Sequence, residues 1–93
     1  MNKKIYIAGK ITGSDNYKEI FEAAEIDLKE RGFTPMNPSR LNGGFEHEEY
    51  MHICYAMIDV CDSVYMLKDW RSSIGALMEY KYARQTHKDI LRE

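Results

Sequence analysis

The chain is short of several features that mark large classes of protein. Its 93 residues contain no apolar run near the roughly 20 residues that a membrane-spanning helix needs. The first residues lack the apolar stretch and the cleavage site of a signal peptide. A basic excess is missing too, since 13 Lys and Arg against 15 Asp and Glu leave a net charge of −2, whereas a generic nucleic-acid binder needs a positive one. We therefore expect a cytoplasmic protein that binds neither a membrane nor nucleic acid.

Cysteine and histidine are too sparse for a disulfide framework or a metal centre. Cys54 and Cys61 stand seven residues apart in one predicted helix, about 10 Å along its axis, which is too far for a disulfide bond. His47, His52 and His87 lack the spacing of metal ligands on one helical face. We predict two reduced core thiols, no metal and no other cofactor.

The length and the hydrophobic pattern predict a single domain, residues 1–93, in which short apolar runs alternate with helical spacing. Pro35 places the second strand at an edge because it lacks a backbone donor. We interpret Asn16 and Glu19 as a capping box, and Glu25 and Lys29 as an ion pair on the outer face of the first helix. The predicted strands span 4–8, 33–36, 63–67 and 89–91, and the predicted helices span 15–31, 46–61 and 73–86.

This alternation predicts an α/β fold, a three-layer flavodoxin-like or Rossmann-like parallel sheet of four strands in the order 2-1-3-4. In this order strands 1 and 3 are neighbours, and ligands bind beyond the carboxyl ends of strands at such a switch point. Loops 9–16 and 68–75 follow these two strands and should face each other across one crevice. The acid-rich start of the second helix, residues 46–49, is interpreted as solvated.

Both crevice loops carry groups that suit an anion or a sugar. The first contains Gly9, Lys10 and Thr12 without the spacing of a Walker A loop, and an ordinary strand-to-helix turn explains it equally well. The second has serines at a helix start, where they cap the helix and also offer free N–H groups to a phosphate. Trp70 in this loop either caps the core or presents its flat face to a nucleobase.

Glu79 is the acid with the most unusual surroundings. No Lys or Arg stands three or four residues from it along the predicted helix, and its neighbours there include Gly75, Ala76 and Ala83. Small neighbours leave open space over a carboxylate, in which a ligand would fit. The alternative is a partly exposed glutamate at the edge of the helix.

Several segments together resemble the nucleoside 2-deoxyribosyltransferase family. Those segments are Ile5-Tyr6-Ile7-Ala8-Gly9, Cys61-Asp62-Ser63-Val64 and Ser73-Ile74-Gly75-x-x-x-Glu79-x-x-x-Ala83. Among its members, the chain is most similar to short phage and bacterial relatives of uncharacterised function, the DUF4406 group. Those relatives share the Asn37-Pro38 pair and the segment Trp70-x-x-Ser73-x-Gly75-Ala76-x-x-Glu79.

The resemblance implies an N-glycosidase or deoxyribosyltransferase that cleaves the N-glycosidic bond of a deoxynucleoside or its 5′-monophosphate. Glu79 would be the nucleophile that forms a covalent glycosyl-enzyme intermediate, and Tyr6 would orient it. Serine at position 73, where transferases of free nucleosides tend to carry an acid, favours a 5′-phosphorylated substrate. The substrate-binding residues it implies are Gly9, Lys10, Thr12, Asn37, Asp69, Trp70, Ser73 and Gly75.

Two departures from the family pattern open alternatives. Cys54 occupies the register in which the family has an aspartate that handles the base. Longer relatives also continue with a further strand and a segment that completes a neighbouring subunit's site. A non-catalytic nucleotide-binding or sequestering module of phage origin, or a domain that keeps only the fold, therefore remains open. The apolar surface of so short a sheet predicts a homodimer or higher homo-oligomer in which a neighbour helps to enclose Glu79.

Overall fold

A computed structural model describes residues 3–93 of the chain. The strands of this part form one parallel sheet in the order β2-β1-β3-β4, which confirms the predicted α/β topology. The edge position of β2, the strand that contains Pro35, is confirmed as well. The elements are β1 (Lys4–Ala8), α1 (Tyr17–Glu30), β2 (Thr34–Met36), α2 (His47–Asp59), β3 (Ser63–Met66), α3 (Ile74–Gln85) and β4 (Asp89–Arg92), with short 3₁₀ turns at Pro38–Arg40 and Trp70–Ser72.

The sheet is covered by helices on both faces, and β1 shows how its two sides are divided. Ile5 and Ile7 belong to a core cluster with α1, whereas Tyr6 and Ala8 belong to the cluster formed with α2 and α3. All four side chains are fully buried. A strand enclosed on both faces needs apolar residues at every position, which is why the central strands read as continuous apolar runs.

Of the two predicted helix caps, the one at α1 is absent and the one at α3 is present. The capping box predicted at α1 does not form, because the Asn16 backbone is not extended and its side chain makes no bond to the helix. The Asn16 side-chain oxygen instead accepts a hydrogen bond from the Ser14 hydroxyl at 3.4 Å. At α3 the expected cap is present, since the Ala76 N–H donates to the Ser73 hydroxyl at 3.1 Å.

The two cysteines do not share a helix as predicted. Because α2 ends at Asp59, Cys61 lies beyond it in the connection to β3, whereas Cys54 remains on the helix. Both thiols are buried and free of disulfide bonds.

The prediction that Glu25 lies on an outer helix face is wrong. Its pairing with Lys29 is present at 3.1 Å, but Glu25 is only 7% exposed. The segment that follows β2 folds back over α1, and Arg40 donates to both carboxylate oxygens of Glu25 at 3.1 Å. The Asn37 amide adds a further hydrogen bond at 3.0 Å. A helical wheel cannot reveal this cover, because the covering residues lie 12 and 15 positions away.

No helix within residues 3–93 combines the length and apolar character required to cross a bilayer.

Candidate active site

The carboxyl ends of β1 and β3 lie side by side and carry the two loops that the topology predicted to meet. The Lys10 N–H donates to the Asp69 carboxylate at 3.2 Å, which ties one loop to the other. Gly9 allows the close approach, because a Cβ at that position would lie 2.7 Å from Leu67 Cδ1. A larger residue at position 9 would therefore force these loops apart.

Beyond these strand ends lies a cavity of about 700 Å³. Its lining combines hydroxyl groups from both loops with apolar and aromatic side chains. A deep pocket with an apolar wall and a few convergent polar groups is the usual form of a small-molecule site. The polar side chains of the lining include Thr12, Lys18, Ser39, His47, Ser72 and Ser73, and the larger apolar and aromatic ones include Ile11, Tyr17, Phe21, Leu41, Tyr50 and Met51.

Glu79 lies at the base of this cavity. It belongs to the second turn of α3 and is only 5% exposed, so the alternative of an exposed helix-edge glutamate is wrong. The Tyr6 hydroxyl, which projects from β1, donates to a Glu79 carboxylate oxygen at 2.5 Å. No Lys, Arg or His of residues 3–93 forms an ion pair with Glu79. The carboxylate is thus held by a neutral donor in an apolar environment.

Burial governs the protonation of this group. Desolvation raises the pKa of Glu79 from 4.5 to about 7, and the hydrogen bonds from Tyr6 and Cys54 oppose that rise only in part. Burial and the nearby Glu79 charge together raise the pKa of Tyr6 well above 10.0, so the phenol keeps its proton. Around neutral pH the site therefore holds one carboxyl group that exchanges its proton and one permanent hydrogen-bond donor.

Cys54 completes the inner group from α2 and lines the cavity beside Tyr6 and Glu79. Burial, followed by the charge of Glu79, raises the pKa of Cys54 to about 12. The group at this position is therefore a neutral thiol at physiological pH. It neither repels the Glu79 carboxylate nor serves as a strong acid.

The structure brings part of the predicted site together. Tyr6 and Glu79 meet at the base of the cavity, and the lining also includes Gly9, Thr12, Ser73 and Gly75. A Cβ at Gly75 would lie 3.7 Å from Met51 Sδ and 3.9 Å from both the His47 ring and the Ser73 hydroxyl, which are ordinary van der Waals contacts.

Four predicted substrate-binding residues lie outside the lining. The Lys10 backbone N–H and the Asp69 side chain form a hydrogen bond with each other across the two loops. The Asn37 side chain is occupied by structural contacts, since its amide donates to Glu25 and its oxygen accepts from the Ser39 N–H at 2.9 Å.

Trp70 is the fourth of these residues, and it caps the core. It is 6% exposed and belongs to the core cluster on the α2 and α3 side of the sheet. Its ring stacks on Tyr80 with centroids 4.7 Å apart. Of the two interpretations of Trp70, the structure therefore supports core capping and gives no contact to the cavity.

Helix α2 contributes side chains to the cavity that the sequence pattern did not predict as site residues. His47, Tyr50, Met51 and Cys54 line the cavity together, and their spacing of three, four and seven residues puts them on one helix face. The interpretation of residues 46–49 as a solvated helix start leaves His47 out of the site. The helical spacing of the four residues is visible in the sequence, but only the tertiary structure shows that they line an open cavity.

No group of three or more His, Cys, Asp and Glu within residues 3–93 is arranged to hold a metal ion.

Comparison with known proteins connects this geometry to a family. The family model described as a domain of unknown function, DUF4406, matches residues 3–92. A solved 2-desoxiribosyltransferase from Leishmania mexicana is similar in fold, with a TM-score of 0.75 and 23% sequence identity. The match covers 97% of this chain but 63% of that one, so the chain spans less than two thirds of that enzyme's length. No curated protein matches the chain. Because the family model extends over nearly the whole sequence, the chain belongs to the DUF4406 family.

Proposed function

We propose that the protein cleaves the N-glycosidic bond of a deoxynucleoside or a deoxynucleoside 5′-monophosphate, with Glu79 as the nucleophile. The observation that carries this proposal is the position of Glu79, which is nine-tenths buried at the base of a cavity with Tyr6 as its donor and no cation as a partner. A structural glutamate is normally paired or solvated. The isolation of Glu79 costs stability, which is typical of a functional group.

In the proposed reaction a Glu79 carboxylate oxygen attacks the anomeric carbon of the sugar. A new C–O bond forms as the C–N bond to the base breaks, and the base leaves with the electron pair and takes up a proton from solvent. The result is a glycosyl ester on Glu79. Water or a second base then attacks the same carbon, loses a proton to solvent and releases the carboxylate. Tyr6 orients the carboxylate in both steps through its 2.5 Å hydrogen bond.

The cavity offers a matching environment for each end of such a substrate. The start of α3, with the Ser73 hydroxyl and the open backbone at Gly75, suits a 5′-phosphate because helix N-termini attract anions. Thr12 and the Gly9 backbone lie on the facing loop, near the sugar in this arrangement. The aromatic and aliphatic wall, which includes Tyr17, suits a planar base.

A second candidate function is nucleotide binding without turnover. Cys54 favours it, because a thiol with a pKa of about 12 is a poor proton donor to a departing base. Under this alternative the cavity sequesters a nucleotide, and Glu79 serves only as a hydrogen-bonding group for the ligand.

We further infer a homodimer or higher homo-oligomer that closes the cavity. Ile74 is 75% exposed, and Leu77 and Met78 on the same turn of α3 are 39% and 37% exposed. Ile74 also lines the cavity, so a second copy packed on this helix face would cover both the exposed apolar side chains and the mouth of the cavity. Sedimentation should show an assembly at micromolar concentration that Ile74→Lys disrupts. A stable wild-type monomer would contradict this inference.

The decisive experiment measures release of free base from a panel of deoxynucleosides and their 5′-monophosphates, followed by chromatography. Glu79→Gln should reduce the rate roughly a thousandfold or more, because it removes the nucleophile itself. Glu30→Gln, the same change at an exposed position at the end of α1, should leave the rate unchanged. Acid quenching followed by mass spectrometry should detect the sugar on the peptide that contains Glu79.

The outcomes separate the candidates. Calorimetric binding of a nucleotide without base release supports sequestration. Base release that survives in Glu79→Gln overturns the proposed mechanism. If the protein neither binds a nucleotide nor releases a base, it shares the fold of the family without this function.

A further inference from the structure

The five arginines of the chain fall into two groups with different partners. Arg31 pairs with Asp27 at 3.0 Å, and Arg40 pairs with Glu25 at 3.1 Å. In contrast, no carboxylate of residues 3–93 forms an ion pair with Arg71, Arg84 or Arg92; the pairs present there are Lys3–Asp89, Lys29–Glu25, Arg31–Asp27 and Arg40–Glu25.

The three unpaired arginines converge on one pair of stacked aromatic rings. Arg71 lies over the Trp70 ring with its guanidinium carbon 4.6 Å from the centroid. Tyr80 stacks on Trp70 at 4.7 Å, and its phenol oxygen accepts hydrogen bonds from Arg84 at 3.0 Å and Arg92 at 3.5 Å. The cluster joins the turn before α3, the middle and end of α3, and the last strand.

No salt bridge among residues 3–93 neutralises the charge of these three arginines. The aromatic faces and the Tyr80 oxygen attract guanidinium groups, and the hydrogen bond from Arg84 lowers the pKa of Tyr80 below 10.0. Neither partner supplies a full negative charge. The protein carries a net charge of −2, so an unpaired group of three arginines on it is a local exception and a focus of attraction for anions.

We propose that Arg84 and Arg92, beside the Tyr80 hydroxyl, form a second binding site, outside the cavity, for a single phosphate group of a small molecule. Both guanidinium groups reach the same phenol oxygen, so they lie side by side, and the N–H donors that Tyr80 does not use can bind one anion together. The planar guanidinium fork matches phosphate oxygens in pairs. Arg71 adds long-range attraction, since like Arg84 and Arg92 it is exposed. None of these residues lines the cavity, and the site goes beyond the glycosidase proposal.

Nuclear magnetic resonance titration of the intact protein with inorganic pyrophosphate at low salt tests the site. Shifts are expected at the side chains of Tyr80, Arg84 and Arg92. The double variant Arg84→Gln/Arg92→Gln should weaken this binding about tenfold or more, since charge-assisted hydrogen bonds are lost. Higher ionic strength should also weaken binding, because the groups are exposed.

Matched controls separate this site from the cavity. Arg31→Gln removes an arginine that also lies over a tyrosine ring, Tyr65, but has an acidic partner, and it should not change the affinity. Ser73→Ala and Glu79→Gln alter only the cavity, so they should leave the shifts around Tyr80 in place even if the proposed glycosidase activity fails. If the glutamine double variant unfolds, the double variant Arg84→Lys/Arg92→Lys replaces it. This variant keeps the positive charges but loses the paired guanidinium donors, and it should bind pyrophosphate several-fold more weakly than the wild type.

Three results would overturn the proposal. The first is an absence of shifts around Tyr80 at millimolar pyrophosphate. The second is undiminished binding in the folded double variants. The third is tighter binding per phosphate to an oligothymidylate than to pyrophosphate, because the surface would then be a track for a polymer and not a site for one small phosphate.

Discussion

The protein buries two glutamates, and their surroundings shift the pKa values of the two carboxyl groups in opposite directions. Glu25 and Glu79 are 7% and 5% exposed. Hydrogen bonds from Arg40 lead the set of contacts that lower the pKa of Glu25 to about 2. Desolvation by burial raises the pKa of Glu79 to about 7, and its uncharged donors, the Tyr6 phenol and the Cys54 thiol, lower it only in part.

The comparison shows that burial alone does not reveal the role of a charged group. Glu25 joins α1 to the segment after β2, and all of its donors belong to the protein. Glu79 is held by Tyr6 from one side and opens on the cavity from the other. A buried acid whose donors all come from the protein is costly to leave without them, whereas Glu79 faces a cavity without forming an ion pair within residues 3–93, so its carboxylate is open to a ligand.

The largest effect on stability is expected for Glu79→Gln. The folded-state pKa lies above the ordinary value of 4.5, so the stability linked to Glu79 is fully present below pH 4.5 and is lost as pH rises through about 7. Glutamine has no such dependence. The unfolding free energy of the Glu79→Gln variant minus that of the wild type should therefore rise by about 3 kcal/mol between pH 4.5 and pH 8, as measured by urea unfolding. A difference that is independent of pH would show that Glu79 is not the isolated acid described here.

Glu25→Gln should have the opposite sign. Its pKa is depressed, so the stability it contributes is present above pH 4.5 and is lost as pH falls toward 2. At pH 7 the variant should lose about 1–2 kcal/mol, because Arg40 and Asn37 lose a charged acceptor but remain partly hydrated. Thermal unfolding from pH 7 to pH 2.5 would measure this. Asp27→Asn, in the exposed pair with Arg31, is the matched control and should cost less than about 0.5 kcal/mol.

Cys54→Asp sharpens the comparison by placing a second carboxyl group beside Glu79. Two carboxyl groups that share one site raise the pKa of one of them strongly. The titration midpoint of the Glu79 carboxyl carbon, followed by carbon-13 resonance, should rise by at least about one pH unit. Cys54→Ser keeps a neutral donor and should leave the midpoint in place. An unchanged midpoint in a folded Cys54→Asp variant would contradict the close approach of these two side chains.

Lys29→Ala should produce the smallest effect. Its side chain is 62% exposed, and Arg40 and Asn37 continue to bind Glu25 after it is removed. The loss should be about 0.3–0.5 kcal/mol at low salt and smaller at high salt, as measured by chemical denaturation. A loss as large as that of Glu25→Gln would identify Lys29, and not Arg40, as the main partner.

The fold was predictable because its signals are local or follow from chain geometry. Apolar runs such as Ile5–Ala8 indicate buried strands, and the alternation of strands and helices restricts the connections to right-handed crossovers. The crevice between loops 9–16 and 68–75 follows from that order alone. The prediction that Tyr6 and Glu79 act together came from the family resemblance, and the structure brings them to 2.5 Å although they lie 73 residues apart.

The errors occurred where side chains are recruited by distant neighbours. Asn37 reads as a free polar group after a strand, but Glu25 takes its amide. The family resemblance places Trp70 near the base, but Tyr80 and Arg71 cover its ring. The acidic start of α2 gives no sign that His47 lines a cavity. Each of these contacts depends on the angle at which two elements pack, which no periodicity encodes.

By itself the sequence determined the strand order, the location of the crevice and the pairing of a small-residue helix with a glutamate at its centre. These follow from hydrophobic periodicity and from the handedness of the chain. Only the tertiary structure decided which acid is charged. Glu25 and Glu79 are residues of the same type, each on a helix. The difference between a pKa of about 2 and one of about 7 arises from the donors that the rest of the fold brings to each carboxyl group. Electrostatics in a desolvated site depend on distances of a few ångströms, and those distances exist only after folding.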